Sequence, residues 1–346
     1  MEIKDFLVKM NAVPHVSGYE SELAKVISTE FSKFAEVSVD KFGNVIARKP
    51  GKEGGPKIMF SAHMDEIGMM VSAVCDGGFV KFSRIGGVDW HNILAQEVTI
   101  HGREKVFGVI GIKPPHLTSV ADRKKSIALH DMSIDTGYSK EKLEKLVRPG
   151  DIITFNQDIV ELQNGKLAGK ALDNIASIAA MYLAAQNLEH FNHSADIYFV
   201  SSAQEEVGGN GAETASYTIK PDIGIAIDVT QGRYPGLPEQ DSFELGKGPV
   251  IAVGPNINRK LFEELKKTAT KNNIPYQVEV CPFGTGTDAY EMQITEGGMI
   301  TGLLSLPLKY MHSTVETLTI RDIENTGKLI SEYIIGIKDW EAELCF

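Results

Sequence analysis

The sequence predicts an α/β fold, a mainly parallel sheet covered by helices, with a small β-barrel domain inserted into it. Three observations predict it. Strand-like apolar runs alternate with helical patterns up to about residue 67 and again after Gly169. Between them the runs are short and divided by Gly, Pro and Asp turns, the habit of a small barrel or sandwich. At 346 residues the chain also exceeds the usual size of one domain. The division expected is an α/β domain from residues 1–67 and 165–346, interrupted by a β domain over 68–164.

The elements follow in order. Residues 3–10 and 20–34 carry apolar side chains at helical spacing, the second after Ser17 and Gly18, a helix-start pattern. Val37–Asp40 and Asn44–Ala47 read as paired strands turning at Gly43, and Ile58–Ala62 as a buried strand that stops at His63. In the insertion, strands are expected at 69–74, 79–82, 97–100, 107–112 and 152–155, with a helix over 139–146. Phe79, Phe82, Trp90 and Phe107 are either barrel core or contact surface. After Gly169, the Ala-rich stretch 173–188 predicts a strong helix, and 259–272 and 320–336 two more. Strands are expected at 195–202, 222–228, 250–253, 276–280 and 300–306.

Composition excludes several classes. Net charge is −11, which argues against nucleic-acid binding, a job for a basic patch. No apolar run is long enough to span a membrane, and the first residues lack a signal-like apolar core. Cys75, Cys281 and Cys345 are odd in number and far apart, so no disulfide framework is expected. A cytoplasmic protein is the expectation.

Five segments each carry a metal-type ligand: His63-Met-Asp65, Leu172-Asp173, Glu205-Glu206, Ile227-Asp228 and Met311-His312. Two histidines with several carboxylates suit a pair of divalent cations. Asp65, two residues beyond His63, is placed to orient the imidazole. Asp173 opens the Ala-rich helix, where the helix dipole favours an acid and disfavours a cation. Glu205 and Glu206 follow a strand. Extended chain would point them to opposite sides, one towards a metal and the other towards a water, and the pattern does not say which. His63, Glu205, Glu206, Asp228 and His312 all fall at expected carboxyl ends of strands, where open α/β sheets bind ligands.

These motifs, in this order and over nearly the whole chain, resemble the cobalt- or zinc-dependent aminopeptidases that build tetrahedral particles. Many of those carry an endoglucanase or cellulase M label. The resemblance implies a zinc-peptidase-like fold with two divalent ions per subunit, zinc or cobalt, with manganese an alternative. It implies that Asp173 is shared by both metals, that His63 and Asp228 complete one site, and that Glu206 and His312 complete the other. Glu205 would be the general base and Asp65 would orient His63. Ile175 stands where relatives often have Arg, and Gly284-Thr-Gly-Thr287 departs from the usual Gly-Gly-Gly-Thr. The implied reaction removes N-terminal residues from peptides with a free amine, by metal-activated water with Glu205 as base. The implied assembly is a dodecamer of six dimers, each dimer joined through the β domain. An N-acyl amino-acid deacylase would use the same metals. An endoglucanase needs two carboxyls flanking one glycosidic bond, which acids on opposite sides of a strand do not provide.

Overall fold

A computed structural model describes residues 2–117, 127–337 and 344. Helices α1 (Ile3–Asn11) and α2 (Ser21–Phe31) each bury one apolar face, Phe6 and Met10 on the first, Leu23 and Ile27 on the second. The hairpin of β1 (Glu36–Val39) and β2 (Val45–Lys49) precedes β3 (Lys57–His63). Six strands then form the insertion: β4 (Gly68–Val74), β5 (Phe79–Ile85), β6 (Glu97–His101), β7 (Lys105–Gly111), β8 (Ser133–Asp135) and β9 (Ile152–Phe155). Helix α3 (Lys140–Leu146) lies before β9, with Ser139 capping its first turn. The chain returns through β10 (Val160–Leu162) and β11 (Lys166–Gly169) to α4 (Leu172–Asn187), β12 (Asp196–Ser202), α5 (Asn210–Ile219) and β13 (Ile223–Gln231). It ends with β14 (Val250–Val253), α6 (Arg259–Lys271), β15 (Gln277–Val280), α7 (Asp288–Ile294), β16 (Ile300–Leu308), β17 (Glu316–Thr319) and α8 (Ile320–Gly336).

The large sheet has the order β1-β2-β12-β3-β13-β16-β14-β15. Its centre, β12-β3-β13-β16, is parallel. The hairpin β1-β2 joins β12 antiparallel, and β14 joins β16 antiparallel, so the sheet is mixed at its flanks rather than parallel throughout. Helix α4 is buried on nearly every side, against β3 and β13 and between α1 and α8. That explains its Ala-rich composition: small side chains let backbone approach backbone from all directions. At Gly327 of α8 an added Cβ would lie 2.8 Å from Leu183 of α4.

The insertion is a closed barrel, β4-β5-β8-β7-β6-β9, shut by the pairing of Met69 with Ile153. Its own apolar core includes Val71, Val80, Val98, Ile134 and Ile153. Phe82 joins that core and Trp90 packs at its margin, half-buried, whereas Phe79 and Phe107 point outward. β7 alternates between the two sides, with Val106 and Ile110 inside and Phe107 and Val109 outside. Six elements escape the sequence pattern: β8, β10, β11, β17, α5 and α7. β8 is only three residues long, and the two helices are short and preceded by Gly-rich loops. Trp340 and Cys345 lie outside the described residues.

Candidate metal centre

The sheet opens where the cluster sits. β13 pairs with β3 only as far as Ala226 and Ser61, yet it continues beside β16 to Gln231 and Leu308. β3 meanwhile stays with β12 to the pair Ser202 and His63. Past Ala226 the two central strands part, and His63 and Asp228 line the gap. Asp228 is therefore inside a strand, not at its end as the apolar run suggested, because Val229 and Thr230 keep pairing with β16. Asn174 and Ser177 of α4 reach into the gap, donating to the carbonyls of Ile227 at 3.0 Å and Asp228 at 3.3 Å.

Asp173 lies at the centre. Its Oδ1 is 3.0 Å from His63 Nε2 and its Oδ2 is 3.3 Å from His312 Nε2. His312 Nε2 is also 3.1 Å from Glu206 Oε1, and His63 Nε2 is 3.8 Å from Asp228 Oδ1 and 3.9 Å from Glu205 Oε2. Ligand-type atoms of His63, Asp173 and Asp228 lie within 4.8 Å of one another, as do those of Asp173, Glu206 and His312, and those of His63, Glu205 and Glu206. Asp173 does not sit in a helical turn. Ala171 is left-handed, and Asp173 (ψ 98°) and Asn174 (φ −130°) are both non-helical, so regular helix begins beyond them. The dipole objection to a cation at Asp173 falls with that geometry. Four non-glycine residues in the left-handed region frame the cluster, Ala171, Gln204, Tyr310 and His312. Such backbone concentrates at functional sites because only dense surrounding contacts hold it.

Glu205 and Glu206 do not project to opposite sides. Both line one cleft of about 420 Å³ with His63, Asp173, Asp228 and His312. They lie past the last residue of β12, where Gln204 at φ 60° ends the extended alternation. The premise used against a glycosidase, that the two acids face apart, therefore fails.

Asp65 does more than expected. His63 Nδ1 donates to the main-chain carbonyl of Asp65 at 3.0 Å and has its carboxylate at 3.6 Å. A carbonyl only accepts, so Nδ1 carries a proton and Nε2 faces the cluster, where the neutral ring would turn its lone pair to a metal. The Asp65 carboxylate accepts from the amides of Glu205 (3.0 Å) and Glu206 (3.1 Å) and from Ser17 Oγ (2.6 Å). Sequence reasoning missed Glu316. It is buried on β17 and accepts from the amides of Asp173 (3.0 Å) and His312 (2.9 Å), tying two separate segments together. The strand reads Glu-Thr-Leu-Thr, too short and too polar to signal a buried acid. Asp288 was also passed over. Its Oδ2 accepts from Ser61 and Ser202, each at 2.6 Å, beneath the cluster. The barrel adds a wall, since a Cβ on Gly87 would stand 2.4 Å from His312 Nδ1.

The donor set fits divalent cations. Burial pushes Glu205 up to about 10, and the charges of Asp228, Asp288 and Glu206 add to this against the pull of His63. Burial likewise raises Asp228 and Glu316 well above the usual carboxylate range, with the Asp173 charge adding to it. Burial opposes protonation of His312, yet hydrogen bonds to Asp173 and Glu206 lift it to about 11. Carboxylates this crowded and buried require shared positive charge, and two histidines are the nearest source. Dications held among the same oxygens and Nε2 atoms would meet that requirement. A larger cavity, about 1320 Å³, lies between α2 and the barrel, but none of the ligand clusters found among the described residues lines it.

Comparison with known proteins agrees with this architecture. Residues 43–329 match the family described as M42 glutamyl aminopeptidase. The chain is 40% identical over 340 residues to the lysyl aminopeptidase of Pyrococcus furiosus, covering 96% of this chain and 97% of that one. Its fold is similar to an aminopeptidase from the archaeon Desulfurococcus kamchatkensis, with a TM-score of 0.93 at 34% identity over 99% of this chain and 98% of that one. It is also similar to the Pyrococcus horikoshii TET1 peptidase, described as assembling into a tetrahedron or a large octahedral shell. There the TM-score is 0.86 at 33% identity, over 97% and 100% of the two chains. The family match spans most of the chain and the relatives span nearly all of it: this protein belongs to the M42 glutamyl aminopeptidase family of peptide hydrolases.

Proposed function

We propose that the protein is a two-metal aminopeptidase that removes N-terminal residues from peptides with a free amine. The observation that carries this is Asp173, whose two oxygens face two histidines from distant parts of the chain, at 3.0 and 3.3 Å. His63, Asp173 and Asp228 would hold one cation, and Asp173, Glu206 and His312 the other; zinc, cobalt or manganese suits these donors. Bound there, such ions supply Lewis-acid polarisation of the scissile carbonyl and a more acidic water.

Glu205 takes no place in that ligand set and faces the same cleft. It accepts the proton of the attacking water and returns it to the leaving amine. Without cations, burial and acidic neighbours favour its protonated form; dications in the cluster would favour the carboxylate that a base requires. Asp65 fixes the His63 tautomer and aims the amides of Glu205 and Glu206. Among the described residues lining the cleft there is no Lys or Arg, which leaves the free α-amine unopposed.

The cleft also sets a side-chain preference. Glu291 lines it, half-buried; its carboxylate meets its own amide, and no ion pair to it forms among the described residues. A Cβ on Gly209 would lie 2.7 Å from its carboxyl carbon, so glycine keeps that space open. An unpaired acid with no cationic neighbour in the cleft favours basic over acidic N-terminal residues. The lysyl activity named for the Pyrococcus furiosus relative agrees with this.

The 68–164 insertion is the proposed assembly domain, in the manner of the TET1 shells. Phe79, Asp135 and Val109 lie side by side on the outer barrel across β5, β8 and β7, with exposed Phe107 two residues along.

The test is hydrolysis of aminoacyl chromogenic amides by metal-reconstituted protein, each beside its N-acetylated twin. Cleavage confined to free amines, with Lys and Arg above Glu, is the expected result. Glu205→Gln should keep its metal and lose about 10²-fold or more in kcat. Cleavage of the acetylated twins would instead favour the N-acyl amino-acid deacylase.

A further inference from the structure

The segment from Ala203 to Glu206 is held by side chains from elsewhere in the chain. Its four successive amides each donate to one. Ala203 N donates to Asn44 Oδ1 at 2.9 Å, and Gln204 N to Glu20 Oε1 at 3.1 Å. Glu205 N and Glu206 N donate to the two oxygens of Asp65. A loop just past a strand would ordinarily offer these groups to water. Here the donors are fixed one by one, and Gln204 is left-handed in the middle of them.

Glu20 is the outlying member. It belongs to the turn before α2, outside the stretch that matches the family. It is 7% exposed, and its Oε1 accepts from Gly18 N at 2.7 Å as well as from Gln204 N. Its neighbour Ser17 donates to Asp65, so the same turn touches the clamp twice. Burial raises the Glu20 pKa, and the Asp65 charge adds to it, while hydrogen bonds from the amides of Gly18, Glu20 itself and Gln204 offset part of that cost. No ion pair to Glu20 is formed among the described residues. An exposed helix-start acid would need none of this burial.

We propose that Glu20 is a positioning residue for catalysis: by holding the Gln204 amide it sets the position of Glu205 over the substrate. This rests on the reading of Glu205 as the base. The bond is made by an acceptor oxygen, so charge is not what positions the loop. Glu20→Gln keeps an acceptor at the same reach, whereas Glu20→Ala removes it and Glu20→Asp shortens it by one methylene.

Two readouts test this on the full-length, metal-loaded protein. The first is hydrogen exchange of peptides covering residues 203–207, which does not depend on turnover. The second is kcat and KM on one aminoacyl amide. Glu20→Ala should speed exchange at Gln204 and lower kcat by about 10- to 100-fold, with KM and bound metal near wild type. Glu20→Gln should restore both readouts to within about threefold of wild type. If Glu20→Ala does not fold, Glu20→Asp takes its place with the same expectations. Unchanged exchange and unchanged kcat would overturn the proposal, as would a Gln variant as impaired as the Ala one. Faster exchange with an unchanged kcat would also overturn it, leaving Glu20 a clamp without catalytic effect; whether Glu205 is the base is decided separately by Glu205→Gln.

Discussion

At the scale of single residues, the centre is made by side chains and the backbone of their neighbours together. Gly87 shows this most directly. A Cβ there would meet the His312 ring at 2.4 Å, and the next contact, His312 Cε1, is only 2.7 Å away. A ring cannot yield by rotating a flexible tip. Gly87→Ala should therefore displace His312, and metal analysis should show affinity at one of the two proposed ions falling by about 10- to 100-fold. Two ions retained at wild-type affinity would show that the barrel loop gives way instead. Most of the ligand-type residues were legible because they stand in or just beyond apolar runs of one sheet, whereas Asp173 was legible as the acid opening an Ala-rich helix. Glu316, Asp288 and Glu20 were not, because their partners are main-chain amides or hydroxyls, and a sequence does not display which amide a carboxylate will meet. The direction of Glu205 and Glu206 was misread for a related reason. Period-two alternation holds only inside a strand, and β12 stops at Ser202.

At the scale of elements, long and strongly patterned pieces were legible, and short ones stabilised by their neighbours were not. The Ala-rich stretch gave α4, but its broken first turn around Asp173 follows from contacts with Glu316 and the parted strands, which lie far away in sequence. The barrel contains an element whose electrostatics can be tested alone. His101 on β6 is held by Thr154 of β9, Nε2 to Oγ1 at 2.9 Å. Burial lowers its pKa to about 4, helped by the Lys105 charge. The unfolded chain has the ordinary value near 6.5 and binds the proton first. Stability from this group is therefore complete above about pH 6.5 and is lost as pH falls towards 4. The thermal midpoint of wild type should drop more steeply across that window than that of His101→Gln. Parallel pH profiles would mean His101 stays neutral in neither state or both.

At the scale of the whole molecule, the barrel and the α/β sheet keep separate apolar cores. The barrel also presents a row of exposed side chains in which Phe79, Val109 and Phe107 flank Asp135. If that row joins subunits, light scattering should give about twelve times the 37.8 kDa chain mass, and Phe107→Lys should shift it to smaller species. A variant of undiminished mass would place the contact elsewhere. No helix among the described residues is long and apolar enough to cross a membrane.

The topology also fixes an order in time. β3 finds its parallel partners only in β12 and β13, whose first residues are Asp196 and Ile223. The barrel needs nothing beyond Phe155 to close. During synthesis from the N-terminus, the barrel can therefore be complete while Ile58, Met59 and Phe60 still have no sheet to enter. For that interval the nascent chain carries an apolar strand with two open edges, tethered to a finished barrel. The burden of avoiding aggregation then falls on the half of the protein that bears the chemistry.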